Sequence, residues 1–192
     1  PRHLSLNEKN ELKMEPAGKI ESLRYGHQHI KSMTLPANKE IVLENIKGNA
    51  MEIVAEIDPL HAPMIELNVL RSPGKEEYTR IAFFKERGFR DRMLQTINSV
   101  ITLDNSYSSM LPDVSSRPPE NAQLLLDAGE TLKLRIFIDI SVVEVFVNGR
   151  QCVAARVYPE LKNSKGVSIR SQGQDAQLIS LDTYQMKSIW KD

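Results

Sequence analysis

Hydrophobic and polar residues alternate most regularly over positions 132–159. Leu132, Leu134, Ile136 and Ile138 are separated by Lys133, Arg135 and Phe137, the period of two that a strand with one face on a core requires. Asp139, Ile140 and Ser141 predict a turn, because Asp and Ser side chains bond their own nearby backbone. Val142–Val147 is a second β-branched run. Asn148-Gly149 follows, the preferred pair of a two-residue type I′ hairpin in which both residues hold positive φ. Residues 150–158 return as a third antiparallel strand. With a two-residue loop, Val147 faces Arg150, Val145 faces Cys152 and Val143 faces Ala154. One face then carries Val143, Val145, Val147, Cys152 and Ala154 and reads as core. The other carries Val142, Glu144, Phe146, Gln151, Val153 and Ala155, and is more apolar than a wetted sheet face. Something is therefore expected to cover it, a partner surface or a second sheet, with Val142, Phe146 and Val153 as the interface.

The same period recurs upstream. Leu4 and Leu6 alternate with polar neighbours, 7–10 turn the chain, and 12–14 pair back as a hairpin. Pro16 opens a short helical turn that reaches Arg24. Strands are predicted over 41–46, 51–57, 65–69, 78–84 and 95–103, and after residue 123 a further strand begins with Leu124. Lys47-Gly48-Asn49, Asp58-Pro59 and Ser72-Pro73-Gly74 punctuate them. Residues 105–121 are rich in Ser, Pro and Asn and predict a long surface loop, the best place for a variable contact. Closing strands are expected over 166–170 and 178–186. About ten to twelve short strands with regular turn signals, and no helical period of useful length, argue an all-β, antiparallel two-sheet sandwich. Residues 1–30 read as a lead-in arm packed on the sandwich, and 31–192 as the sandwich itself, one domain overall.

Composition narrows the function. The chain has 192 residues, 41% of them hydrophobic, enough to bury a real core. Its 25 basic residues balance 25 acidic ones, and no basic run occurs, which argues against nucleic acid as a partner. No apolar stretch reaches the roughly 18–20 residues of a membrane span. One cysteine, Cys152, permits no internal disulfide and reads as a small core residue. The chain opens at Pro1 in mid-pattern, without an initiator Met, and is expected to be a piece of a longer protein. Its compartment is therefore left open.

Particular residues then invite a resemblance. LRIFIDISVVEVFVNG followed by RVYP resembles the signature of the C-terminal β-sandwich of glycoside hydrolase family thirty-two, which contains invertases, fructanases and sucrose-6-phosphate hydrolases. Arg135, Asp139, Ser141, Glu144, Phe146, Gly149, Arg156, Tyr158 and Pro159 carry the match. Pro1 to Leu6, Leu12, Pro16 and Leu23-Arg24 are similar to the passage from that family's catalytic domain into the sandwich. The middle matches more loosely: Phe84-Lys85 stands where the family often has Tyr-Asp, and Asn105 replaces the Arg of an L-D-R-S pattern. The resemblance implies a lectin-like (concanavalin-type) jelly roll attached to an upstream five-bladed propeller. That propeller would hydrolyse β-fructofuranosyl bonds in sucrose or fructans with retention. The resemblance leaves room for a homodimer.

Candidate chemistry is sparse. A retaining glycosidase needs two carboxylates about 5–5.5 Å apart. The family's N-D-P-N-G, R-D-P and E-C motifs, which would supply them, do not occur here, so no catalytic residue is carried over. Glu144 sits mid-strand and is expected to pair with Arg135 or Arg156. Glu76-Glu77 read as a solvated loop. His27 and His29, two apart on a strand, could face a metal, but no third ligand is evident and no metal or cofactor is expected. Phe83, Phe84 and Phe89 among Arg87, Arg90 and Arg92 read as a charged hairpin tip with buried Phe. Trp190, the single Trp, reads as a residue that closes a core. The first expectation is a non-catalytic module that stabilises a catalytic domain. The alternatives are a carbohydrate-binding module, which few aromatics (6%) disfavour, and a protein-interaction domain.

Overall fold

The computed structural model describes residues 1–8, 10–93, 95–114 and 117–189. The chain opens with β1 (Arg2–Leu6) and β2 (Leu12–Pro16), paired as a hairpin of their own. A 3-10 turn at Ile20–Leu23 precedes β3 (Arg24–Ile30), β4 (Met33–Leu35), β5 (Glu40–Lys47), β6 (Ala50–Asp58) and β7 (Met64–Arg71). Next come β8 (Thr79–Phe84), the short β9 (Arg90–Asp91) and β10 (Thr96–Ile97), β11 (Ser99–Asp104) and β12 (Glu120–Leu124). The chain then runs through β13 (Leu132–Asp139), β14 (Val142–Val147), β15 (Gln151–Arg156), β16 (Gly166–Gln172) and β17 (Ala176–Met186).

Two antiparallel sheets face each other, as expected. One has six strands in the order β12-β11-β8-β7-β16-β5. The other has seven, in the order β15-β14-β13-β6-β17-β3 with β4 also on β17. Successive strands β5, β6 and β7 change sheets each time, so the two layers cannot fold apart. Alternation does the packing. From the seven-stranded sheet Leu132, Leu134, Ile136, Ile138, Ile53 and Ile57 point inward, and from the other Ile65, Leu67, Ile81, Phe83, Ile101 and Ile169 meet them in one cluster.

Four features depart from the sequence reading. First, pairing resumes at Val147↔Gln151, so the β14–β15 loop has three residues, 148–150. Asn148 and Gly149 do hold positive φ, at 49° and 63°, and Arg150 N–H closes the turn on Val147 C=O at 2.9 Å. Arg150 is then an extra residue, held because its side chain reaches Glu130 and the Leu125 carbonyl. A shift of one residue turns every following side chain over. Val153 therefore lies in the core, and Cys152 lies outward beside Phe146. Second, β12 (Glu120–Leu124) ends at Leu124 rather than beginning there; it lies on an edge, where Ala122 and Leu124 suffice as apolar anchors among polar neighbours. Third, β3 falls inside 1–30 yet forms an edge strand of the sandwich. Fourth, β7 is buried along its whole length, Glu66 and Asn68 included, although its alternation had suggested one wetted side.

Candidate functional site

The outer face of the seven-stranded sheet collects most of the signature residues. β6 turns Glu52 outward at the middle of the sheet, where it is 0% exposed. A carboxylate stripped of water is tolerated only when it is paired and hydrogen-bonded. Arg24 supplies two bonds, Nε to Oε2 at 2.7 Å and Nη2 to Oε1 at 2.8 Å. Arg135, from β13, adds Nε to Oε1 at 2.5 Å and reaches on to Glu21 Oε1 at 2.7 Å. The guanidinium of Arg24 also lies over Tyr184 at 4.4 Å, and that of Arg135 over Phe137 at 5.1 Å. The hydrogen bond to Glu52 holds the Arg24 pKa above its ordinary value. Glu21 belongs to the 3-10 turn and Arg24 opens β3, so this network ties the lead-in segment to the sheet.

The cover expected over the second hairpin face is the chain's own arm. β2 runs against β14 and β15, and Met14 N–H donates to the Gly149 carbonyl at 2.7 Å. Arg2 donates to Glu144 at 2.9 Å. Met14, Pro16 and Phe146 line a cavity of about 270 Å³ between arm and sheet. Phe146 is 3% exposed there and meets Phe137 edge-on at 6.0 Å. Of the three residues expected at an interface, Phe146 is thus under the arm and Val153 is in the core, which leaves Val142 exposed. Glu144 pairs with Arg2, and not with Arg135 or Arg156, because β1 brings a cation over the sheet that no strand pattern reveals. Cys152 lies 3.6 Å from a Glu144 oxygen. Burial and that carboxylate push its thiol up to about 12, so it is an inert thiol.

The remaining signature residues are structural or line an edge. Asp139 pairs with Val142 across the turn, and the Ser141 carbonyl accepts Val157 N–H at 2.9 Å. Arg156 and Tyr158 line a cavity of about 610 Å³ with Asn105, Asp113 and Arg117 of the long loop. Glu77, expected in a solvated loop with Glu76, is instead fully enclosed by other loops. It is 0% exposed. Its Oε1 accepts Glu160 N–H at 2.8 Å and Met110 N–H at 2.9 Å. Its Oε2 accepts Leu161 N–H at 3.0 Å and Ser164 Oγ at 2.7 Å. Burial opposes its charge, yet the Ser164 hydroxyl and these three N–H groups hold its carboxyl below the usual range. One carboxylate thereby pins three loops together, and nothing in Glu76-Glu77 distinguishes it from its neighbour.

His27 Nε2 and His29 Nδ1 both meet Asp182 Oδ1, at 2.7 and 2.9 Å. Among the described residues no group of three His, Cys, Asp or Glu side chains is arranged to hold a metal ion. Of the hairpin-tip phenylalanines Phe83 is buried and Phe89 is 64% exposed. Trp190 lies outside the described residues. No described helix is long and apolar enough to cross a membrane.

A family profile, described as glycosyl hydrolases family 32 C terminal, matches residues 19–185. The chain belongs to that family. As a family 32 C-terminal module it is 27% identical to the levanase of Bacillus subtilis (strain 168), over 99% of this chain and 27% of the levanase. It is 26% identical to an acid beta-fructofuranosidase of Vicia faba, over 83% of this chain and 28% of that protein. The module thus spans little more than a quarter of these relatives. Among solved structures, fructan 1-exohydrolase IIa from Cichorium intybus superposes with a TM-score of 0.84 at 19% identity, over 98% of this chain and 40% of that one. Exo-inulinase from Aspergillus awamori gives 0.75 at 21% identity, over 99% of this chain and 36% of that one. These superpositions establish the shared sandwich.

Proposed function

We propose that this module is the non-catalytic partner of an upstream propeller that hydrolyses β-fructofuranosyl bonds in sucrose or fructans, and that it stabilises the propeller by docking on it. Its relatives are named for that chemistry. On the arm-covered face, Glu52 and Glu144 are both taken up by arginines.

The observation that carries the docking role is the state of the arm. Its base is fastened to the sheet through Arg2, Met14 and Pro16. Its register puts Leu4, Leu6 and Leu12 on the same face as those residues, but here they are 58%, 64% and 45% exposed. A hairpin anchored at one end and apolar at the other is built to bury its tip. Burying a leucine fully is worth about 1.5–3 kcal/mol, so the tip is a substantial docking ridge. Residues 1–23, up to the 3-10 turn, then form the passage from propeller to sandwich, and β3 begins the sandwich proper.

The double substitution Leu4→Asp with Leu6→Asp tests this in the protein carrying its upstream domain. The expected result is a lower unfolding temperature for the catalytic domain while the sandwich keeps its own transition. An unchanged catalytic-domain transition would remove the arm tip as the docking ridge.

A further inference from the structure

The outer face of the six-stranded sheet holds polar groups that no docking role uses. The strand register sets them in two adjacent rows. Asp104, Arg80, Asn68 and Ser168 form one, and Glu66, Arg170 and Glu40 form the next. Arg80 donates to Asp104 at 2.6 Å and Arg170 to Glu66 at 2.9 Å. Asn68 Nδ2 donates to Glu66 at 2.9 Å and to Ser168 at 3.2 Å, and Ser168 donates to Glu40 at 2.6 Å. Within this lattice Asn68 Oδ1, Arg80 Nε and Arg170 Nε are buried with no hydrogen-bond partner. Asn68 itself is 0% exposed. Buried polar groups are nearly always paired, and each one left open costs about 1–3 kcal/mol. Three open valences lie in one patch, two of them on side chains that are partly exposed at 32% and 28%.

An aromatic platform adjoins the lattice. Tyr78, immediately before β8, stacks on Tyr107 at 5.2 Å. Tyr107 is 52% exposed. Lys75 Nζ lies 4.9 Å from the Tyr78 ring centre and 3.1 Å from Glu40 Oε2, joining platform to lattice. Carboxylates and cations interleave, so the face has no single-sign field to select an ion. A flat aromatic ring beside amide, carboxylate and guanidinium groups suits a sugar, whose ring face is apolar and whose edge is hydroxyl.

We propose that this face binds a short neutral oligosaccharide, with Tyr107 stacking on a sugar ring and Asn68, Arg80 and Arg170 bonding its hydroxyls. Arg80 and Arg170 flank the buried Asn68 and Glu66 and are paired with Asp104 and Glu66, so their outward rotation, part of the proposed binding, admits a sugar hydroxyl to Asn68. The site is independent of the arm, so its failure and that of the docking reading are separable.

The test is a calorimetric titration of the 192-residue chain with 1-kestose and, separately, with maltotriose. Saturable binding of either sugar is expected in the millimolar range, weakened about tenfold or more by Tyr107→Ala and by Asn68→Ala. Tyr107 is half exposed, so Tyr107→Ala remains informative where Asn68→Ala fails to fold. Absence of saturation with both sugars, or affinity unchanged in Tyr107→Ala, would overturn the proposal.

Discussion

Glu52 and Glu77 show two ways of keeping a carboxylate charged without water. Glu52 is neutralised by two arginines, Glu77 by three backbone N–H groups and a hydroxyl. The difference predicts different consequences. Removing the Glu52 charge leaves Arg24 and Arg135 facing each other across a dry site, and breaking a buried pair from one side costs about 3–5 kcal/mol. Glu52→Gln is therefore expected to lower the unfolding free energy by about 3 kcal/mol in a urea titration. A loss under about 1 kcal/mol would mean that water already reaches the pair. Glu77→Gln turns an amide N–H₂ toward N–H donors and is expected to cost about 2 kcal/mol, with the slack appearing as faster amide exchange at Met110, Glu160 and Leu161.

At the scale of elements, the β14–β15 hairpin shows what a pattern can and cannot fix. Asn148-Gly149 announces the turn correctly, and the valines identify which side of β14 is inward. Whether the loop has two residues or three depends on Arg150, whose partners Glu130 and Leu125 lie about twenty positions away in sequence. No local pattern carries that contact, and the side chains of β15 follow from it. The two registers make opposite predictions. With three loop residues, Val153→Asp buries a charge and is expected to cost over about 3 kcal/mol, whereas Ala154→Asp, beside Glu144 on the outer side, costs under about 1.5. The reverse order would restore the two-residue loop. The same division runs through the chain. Strands with strong alternation, such as β6 and β13, were legible to within a residue. The arm was legible as a hairpin, but its second strand runs on through Pro16, where a helical turn was expected, and the 3-10 turn begins only at Ile20. β12 was not, because an edge strand needs little apolar content, and β7 was misjudged because Glu66 and Asn68 are buried by side chains from β8 and β16. Of the surface beneath the arm, Phe146 was legible, but the pairing of Glu144 with Arg2 depends on how the arm folds back.

The whole molecule is a sandwich held by depressed carboxylates as well as by its core. Glu40 is opposed by burial but held by Ser168, Arg71 and Lys75, and its pKa falls from 4.5 to about 2. Glu77, Asp104 and Glu130 are shifted in the same direction. A carboxylate whose folded pKa is depressed contributes fully above its unfolded value and loses that contribution as pH falls through the folded one. Stability is therefore expected to be flat at neutral pH and to fall between pH 4.5 and about 2. Denaturant titrations across that range check it, with a smaller fall in Glu40→Gln. A decline that begins above about pH 6 would contradict this carboxylate account. The central claim is that this sandwich supports fructoside hydrolysis without performing it. The most direct test is an assay of fructose released from sucrose and from levan by the chain alone. No release is expected with either substrate. Turnover abolished by Glu144→Gln would contradict it and make the carboxylate under the arm a catalytic group.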